Sequence, residues 1–286
     1  MKLVSFCYSN VDQVGVRRNE QIIPLSVLTP HLPNTLRAIL AEPGSLKEIS
    51  EKSASYQGET IPIDEIEYLP VIPEPGKIIC IGRNYAAHAA EGGAEVPSYP
   101  EIFYRGKSSL LGHEESIVRP KCSDKLDYEG EFVFVIGKTC RHATEENALN
   151  YIAGYSLFND ATIRDYQRFS SQWTIGKNFD ASGPFGPELV TSDELPEGLS
   201  GLTLTTKLNG EVMQNASIDD LVFPVKTLVK ILSECMTLEP GDVVVTGTPS
   251  GVGYARKPPI WMTAGDVVEV SVEGLGTLSN RVADES

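Results

Sequence analysis

The segment Asp127-Tyr-Glu129-Gly-Glu131-Phe-Val-Phe-Val-Ile136 places two carboxylates two residues apart, directly ahead of an unbroken apolar run. Side chains alternate faces along a strand, so Glu129 and Glu131 project from one side with Cα atoms about 7 Å apart. Val133 and Val135 continue that face, and Tyr128, Phe132 and Phe134 form the other. Such a run predicts burial on both faces, where an uncompensated carboxylate is costly. A cationic side chain or a bound cation must offset the pair, and the strand itself carries no matching Lys or Arg. Hard divalent ions prefer oxygen ligands, so the pair reads as part of a metal site. An edge strand with solvated carboxylates is the plainer alternative. Tyr155-Ser-Leu-Phe-Asn-Asp160 reads as a second strand whose last residue supplies a third carboxylate, unless Asp160 only caps the following helix. Three carboxylates suit Mg²⁺ or Mn²⁺ better than zinc.

A second set of residues could move protons. In Gly82-Arg83-Asn-Tyr-Ala-Ala-His88-Ala-Ala-Glu91-Gly-Gly93, His88 and Glu91 are three apart and share a face on a helix. A carboxylate partner orients an imidazole and makes it a better general base. Gly92-Gly93 would let the segment move as a lid. A surface histidine with a chance acidic neighbour is the other reading. Lys177, in Trp173-Thr-Ile-Gly-Lys-Asn-Phe-Asp180, can bind a substrate carboxylate or steady an oxyanion, or simply snorkel at the surface. Lys107, in Tyr104-Arg-Gly-Lys-Ser-Ser109, invites the same two readings. Val244-Val-Thr-Gly-Thr248-Pro-Ser-Gly-Val-Gly253 runs from a strand into a glycine-rich turn without the Lys-Ser/Thr ending of a phosphate loop. Its amides and the Thr248 hydroxyl can hold a carboxylate, or it is a plain tight turn. There is no Gly-x-Ser-x-Gly elbow and no His-Glu-x-x-His.

The elements that position these residues follow from the rest of the chain. Its 286 residues allow one large domain or a large one with a small appendage. Residues 1–70 read as a small N-terminal α+β unit, with strand candidates at Val14-Gly-Val16 and Gln21 to Leu25 and short helices at Thr35 to Leu40 and Leu46 to Lys52. Leu69-Pro-Val-Ile-Pro-Glu-Pro-Gly76 reads as a stiff connector, and residues 71–286 as the catalytic body. Leu202 to Leu208 meets Asn209-Gly210, a strong hairpin signal. Helices are expected at Thr144 to Ala153, Arg164 to Phe169 and Val225 to Cys235. The pattern predicts a β-dominated α+β fold and not alternating βαβ units. A net charge of −15 excludes nucleic acid and anionic membrane as partners. No segment has the roughly 18 apolar residues of a membrane span, and the start lacks a signal-peptide core. Five scattered cysteines without C-x-x-C spacing predict reduced thiols in a cytoplasmic protein.

Taken in order, Gly-Arg83-Asn-Tyr-x-x-His88-x-x-Glu91, Lys107-Ser, Glu129-x-Glu131, Asn159-Asp160-x-Thr-x-Arg-Asp-x-Gln167, Gly-Lys177-x-Phe-Asp and Thr246-Gly-Thr248-Pro-x-Gly-Val-Gly253 resemble the fumarylacetoacetate hydrolase superfamily. The resemblance runs from about Pro75 to Val282. It implies a mixed β-roll catalytic domain, a homodimer, and Mg²⁺ or Mn²⁺ on Glu129, Glu131 and Asp160. It also implies a catalytic His88–Glu91 pair and Lys177, with Arg83, Lys107, Gln167 and Thr248 at the substrate. Superfamily members hydrolyse acylpyruvates, decarboxylate oxaloacetate-like acids, or isomerise 2-hydroxy-dienoates, and all stabilise the enolate of a 2-oxo acid. The expectation is a metal-dependent enzyme that cleaves a C–C bond in a 2,4-dioxo acid, an acylpyruvate or diketo-deoxy sugar acid, and releases pyruvate. Water deprotonated by His88–Glu91 would attack C4, with Lys177 and Gln167 steadying the oxyanion. An oxaloacetate-type decarboxylase or tautomerase stands second, and a metal-stabilised binding protein without turnover is the rival of another class. The loops around residues 91–100 and 254–261 are expected to select the group beyond C4, with Arg256 placed to read an anionic tail or to remain solvated.

Overall fold

The apolar run after Glu131 becomes the strand Gly130–Ile136, buried along its whole length in the computed structural model, which describes residues 1–286. It pairs antiparallel with Ile152–Asn159 on one side and Val243–Val245 on the other. Its two faces feed two cores, as alternation requires. Phe132, Phe134 and Ile136 pack against the helix Val225–Cys235 and a second sheet of five strands. Val133 and Val135 pack on the other side with the helices Leu36–Ala41 and Ser45–Ser55. The helix Val225–Cys235 forms because Val225, Leu228, Val229 and Leu232 recur at helical spacing and are all buried. Truncating Leu228 to Ala would cost about 2–5 kcal/mol.

The main sheet is mixed. Val243–Val245 runs parallel to Ile78–Gly82, which pairs antiparallel with Glu101–Tyr104. At the opposite end the sheet continues through Ile152–Asn159 and Gly183–Thr191 into Lys2–Tyr8, Val11–Arg18, Gln21–Pro24 and Ile61–Pro62. Lys2 and Leu3 pair with Val190 and Leu189, so the first 70 residues extend the sheet of the body. Leu3 and Ile23 share a core with Phe158 and Phe185. The proline-rich segment after Tyr68 is a buried strap: Val71 and Ile72 are fully covered, and Ser5 Oγ donates to the Val71 carbonyl at 2.8 Å.

The second sheet contains the expected hairpin. Thr203–Leu208 and Glu211–Ser217 meet at Asn209-Gly210, both with positive φ (52° and 81°), as a type I′ turn requires. The helix expected over Thr144 to Ala153 is not formed. A single 3₁₀ turn covers Ala148–Tyr151, and Ile152 and Ala153 belong to the strand Ile152–Asn159. Pairing of Ile152 with Ile136 overrides local helical preference there.

Register brings the carboxylates together. Gly130 lies opposite Asn159, so the next pair outward is Glu129 and Asp160, and the Asp160 N–H donates to the Glu129 carbonyl at 2.8 Å.

Candidate active site

Glu129, Glu131 and Asp160 are 5%, 2% and 1% exposed, and oxygens from all three lie within 4.8 Å of one another. The residue between the two glutamates is glycine for a steric reason. A Cβ on Gly130 would sit 1.9 Å from Thr206 Oγ1, where the second sheet presses on the strand. The loop after Val243–Val245 clamps the same strand. Thr246 Oγ1 donates to the Phe132 carbonyl (2.7 Å), Gly247 N–H to Glu131 Oε2 (2.5 Å) and Thr248 Oγ1 to the Gly130 carbonyl (2.9 Å). Gly247 reaches Glu131 at φ +101°, and a Cβ there would meet Asn84 Cβ at 2.8 Å.

Cations reach the cluster from distant segments. Lys177 Nζ donates to Glu129 Oε2 (2.7 Å), Asp160 Oδ2 (2.6 Å) and the Asp160 carbonyl (3.0 Å). Arg164 pairs with Asp127 Oδ2 at 2.7 Å and Glu129 Oε1 at 2.6 Å. Arg105 donates to Asp160 Oδ1 at 2.5 Å and to Ser182 Oγ at 2.7 Å. All three cations are at most 4% exposed. No local pattern assigns a role to Arg105 or Arg164 in advance. Burial alone would raise the Glu129 carboxyl, but Arg164 and Lys177 outweigh it and hold Glu129 down to about 2. Glu131 goes the other way. Burial, then repulsion from Asp160 and Glu129, push it well above the ordinary carboxylate range against the pull of Lys177 and the Gly247 amide.

These opposite shifts test whether a metal fits. Four buried acids (Asp127, Glu129, Glu131, Asp160) face three buried cations, and Glu131 has no ion-pair partner of its own. The surplus negative charge, the oxygen-only donor set and the spacing of the three carboxylates fit a hard divalent cation. Glu129, Glu131 and Asp160 are the residues that would hold it.

The carboxylates form the floor of a cleft of about 270 Å³ that also takes in His88, Arg83, Gln167, Thr248 and Tyr254. His88 lies on the short helix Ala86–Glu91, with Nδ1 2.9 Å from Glu91 Oε1. Glu91 is itself held by the Gly251 N–H at 3.0–3.1 Å. With a carboxylate at Nδ1, that nitrogen carries the hydrogen and Nε2 is left as acceptor. The Gln167 side-chain oxygen accepts from Arg164 at 3.1 Å. Thr248 accepts from Gln214 Nε2 at 2.7 Å while donating to Gly130, which occupies its hydroxyl with protein partners. Arg83 lines the cleft, but its guanidinium is engaged in a two-point pair with Glu101.

Two expected residues lie elsewhere. Lys107 is 60% exposed and pairs with the exposed Glu74 at 2.5 Å, outside the cleft. The neighbouring cation that turns inward is Arg105, because the 3₁₀ turn Lys107–Ser109 starts between them and directs them apart. Arg256 spans Tyr128 Oη (3.1 Å) and the Met213 carbonyl (2.7 Å), fastening a loop away from the cleft. Two larger clefts, each about 540 Å³, border the N-terminal region and gather no buried titratable side chains.

Fold and site together define a mixed β-roll protein with a metal-capable carboxylate centre beside a His–Glu pair. The chain belongs to the fumarylacetoacetate hydrolase family: the profile described as Fumarylacetoacetate (FAA) hydrolase C-terminal matches residues 77–283. Over its whole length it is similar to the fumarylacetoacetate hydrolase domain-containing protein 2 homolog of Dictyostelium discoideum, at 38% identity across 99% of this chain and 97% of that one. The mitochondrial oxaloacetate tautomerase fahd2 of Xenopus laevis is 37% identical across 99% of this chain and 90% of its own. Among solved structures, the maleylpyruvate hydrolase of Sphingobium sp. SYK-6, in complex with manganese(II) and pyruvate, superposes with a TM-score of 0.84 at 25% identity, covering all of both chains.

Proposed function

We propose that this protein is a divalent-metal-dependent enzyme that interconverts the keto and enol forms of an oxaloacetate-type 2-oxo acid. The observation that carries this is the placement of a carboxylate-oriented imidazole in the same cleft as three buried, under-compensated carboxylates. Glu129, Glu131 and Asp160 would hold the metal, which would supply Lewis-acid stabilisation of the enolate charge. His88 takes a proton from C3 through Nε2 while Glu91 keeps the ring in the required tautomer, and the proton is then delivered to the enolate oxygen on C2 to give the enol. Arg164 and Lys177 hold Glu129 ionised and in place, and Lys177 also anchors Asp160. Gln167, whose amide nitrogen has no protein partner, is set to donate to the bound acid. This ordering puts proton transfer ahead of the C–C hydrolysis expected from the sequence, because the oxaloacetate tautomerase of Xenopus matches nearly the whole chain.

Hydrolysis of a 2,4-dioxo acid is the second reading, favoured by the likeness to the manganese- and pyruvate-bound maleylpyruvate hydrolase. There the same imidazole would deprotonate water for attack at C4. The test is direct. With Mn²⁺ added, decay of the oxaloacetate enol absorbance without pyruvate or CO₂ release supports the tautomerase. One-to-one pyruvate release from an acylpyruvate supports the hydrolase. Inactivity on both would leave a binding protein. A homodimer in a reducing compartment, the cytosol, completes the proposal. The five free cysteines support the compartment, and sedimentation and cell fractionation test both.

A further inference from the structure

The cleft holds one cation that nothing in the protein neutralises. Arg83 is paired with Glu101, Arg164 with Asp127 and Glu129, and Lys177 with Glu129 and Asp160. Arg168 lines the same cleft and is exposed at its mouth, and its guanidinium has neither an ion pair nor a hydrogen bond to any residue. Its position is nonetheless defined. Arg164, Gln167 and Arg168 stand at i, i+3 and i+4 on the helix Arg164–Arg168 and so share its cleft-facing side. The Arg168 guanidinium lies 4.8 Å from the Tyr254 ring centroid, and that of Arg164 lies 4.4 Å from the same ring. The ring therefore holds a free positive charge one helical turn outward from the carboxylate centre, against the chain's net charge of −15.

We infer that Arg168 is a specificity-determining residue that reads a second carboxylate, so the preferred substrates are short 2-oxo dicarboxylates. The inference rests on the proposed 2-oxo acid chemistry, which places the head group at the carboxylate centre. Side chains one turn apart on a helix are separated by about 5–6 Å at Cβ, comparable to the span of a four- or five-carbon diacid. An uncharged tail would leave Arg168 solvated and gain nothing from it. A carboxylate tail gains a two-point, charge-assisted contact.

The test uses two 2-hydroxy acids that cannot enolise and differ only in the tail: malate carries a carboxymethyl group where lactate has a methyl group. Calorimetry on the Mn²⁺-loaded protein should show malate bound about tenfold tighter than lactate, the worth of one charge-assisted contact at a partly exposed site. Arg168→Met should erase that preference by weakening malate alone, and Arg168→Lys should retain part of it. Equal affinities in the wild type, or a preference that survives Arg168→Met, would overturn the assignment. If the preference tracks Arg168 but the wild type converts no oxaloacetate, the proposed function falls and the assignment stands.

Discussion

Glu188 and Glu129 belong to the same sheet, one on the strand Gly183–Thr191 and the other just ahead of Gly130–Ile136, and both are almost inaccessible to solvent. They keep different company. Glu188 is a single acid met by two cations, Lys2 at 2.7 Å and Arg17 at 3.4 Å, both partly exposed. It ties the first two strands to the body. Glu129 belongs to a group of four acids that shares only three cations, all buried. Where charge is matched, the fold has used an ion pair as a fastener. Where the acids outnumber their partners, the residual charge is a cost that a ligand can relieve, and that is where chemistry is to be sought.

Substitutions at the two acids and at the residues around them test this contrast. The largest effect is expected from Glu129→Ala, which removes one of three anionic ligands. Mn²⁺ affinity measured by calorimetry should fall about 100-fold or more, beyond the range typical for outer partners, and turnover should vanish. Glu188→Gln should leave Mn²⁺ affinity unchanged, and equal losses in the two variants would erase the distinction. His88→Asn should lower kcat by about 10²–10⁴ while sparing Mn²⁺ affinity, and a full-speed variant would remove the imidazole from the reaction.

Arg105→Ala, which frees Asp160 from its buried partner, should weaken Mn²⁺ binding roughly 10- to 100-fold. Its neighbour Lys107, exposed and paired only with Glu74, should tolerate Ala without change in either metal affinity or kinetics. At Glu188 the effect belongs to stability. Glu188→Gln should cost about 1–3 kcal/mol in urea unfolding, kept modest because Lys2 and Arg17 can turn to water.

The smallest effect is a pH dependence at His113, which lies close enough to the Glu188 group for Arg17 and Glu188 both to act on it. His113 is largely buried against the edge of Tyr68, with ring centroids 4.7 Å apart, and accepts the Ser279 N–H at 3.0 Å. Burial lowers its pKa below the ordinary 6.5. The unfolded chain therefore takes up this proton first as pH falls. The group's contribution to stability is present above pH 6.5 and is lost as pH falls from that value through the lower folded-state pKa. Urea midpoints from pH 7.5 to 5.5 should decline, and more steeply in the wild type than in His113→Gln. Parallel slopes would remove His113 as the cause.

Much of this site is legible in the amino-acid sequence. Glu129, Glu131 and the burial of the run behind them follow from alternation along one strand, and His88 and Glu91 from three-residue spacing on one helix. The helix Val225–Cys235 shows the same legibility, since its apolar stripe is local. What escaped was residue choice among near neighbours. Lys107 and Arg105 are two residues apart and equally cationic, and only packing against Phe158 and Ser182 shows which one turns inward. Arg256, expected to read an anionic tail or remain solvated, is captured by the Met213 carbonyl, and Arg168, which no motif singled out, is held over the Tyr254 ring.

The amino-acid order by itself determined the periodicities, the turn at Asn209-Gly210 and the acidic character of the centre, because these depend on sterics and polarity within a few residues. Tertiary structure alone decided the charge balance. Arg105 reaches Asp160 across 55 residues of chain and Lys177 reaches Glu129 across 48. Which cations arrive, and which acid is left without one, depends on how distant strands register and pack, and no local pattern encodes that.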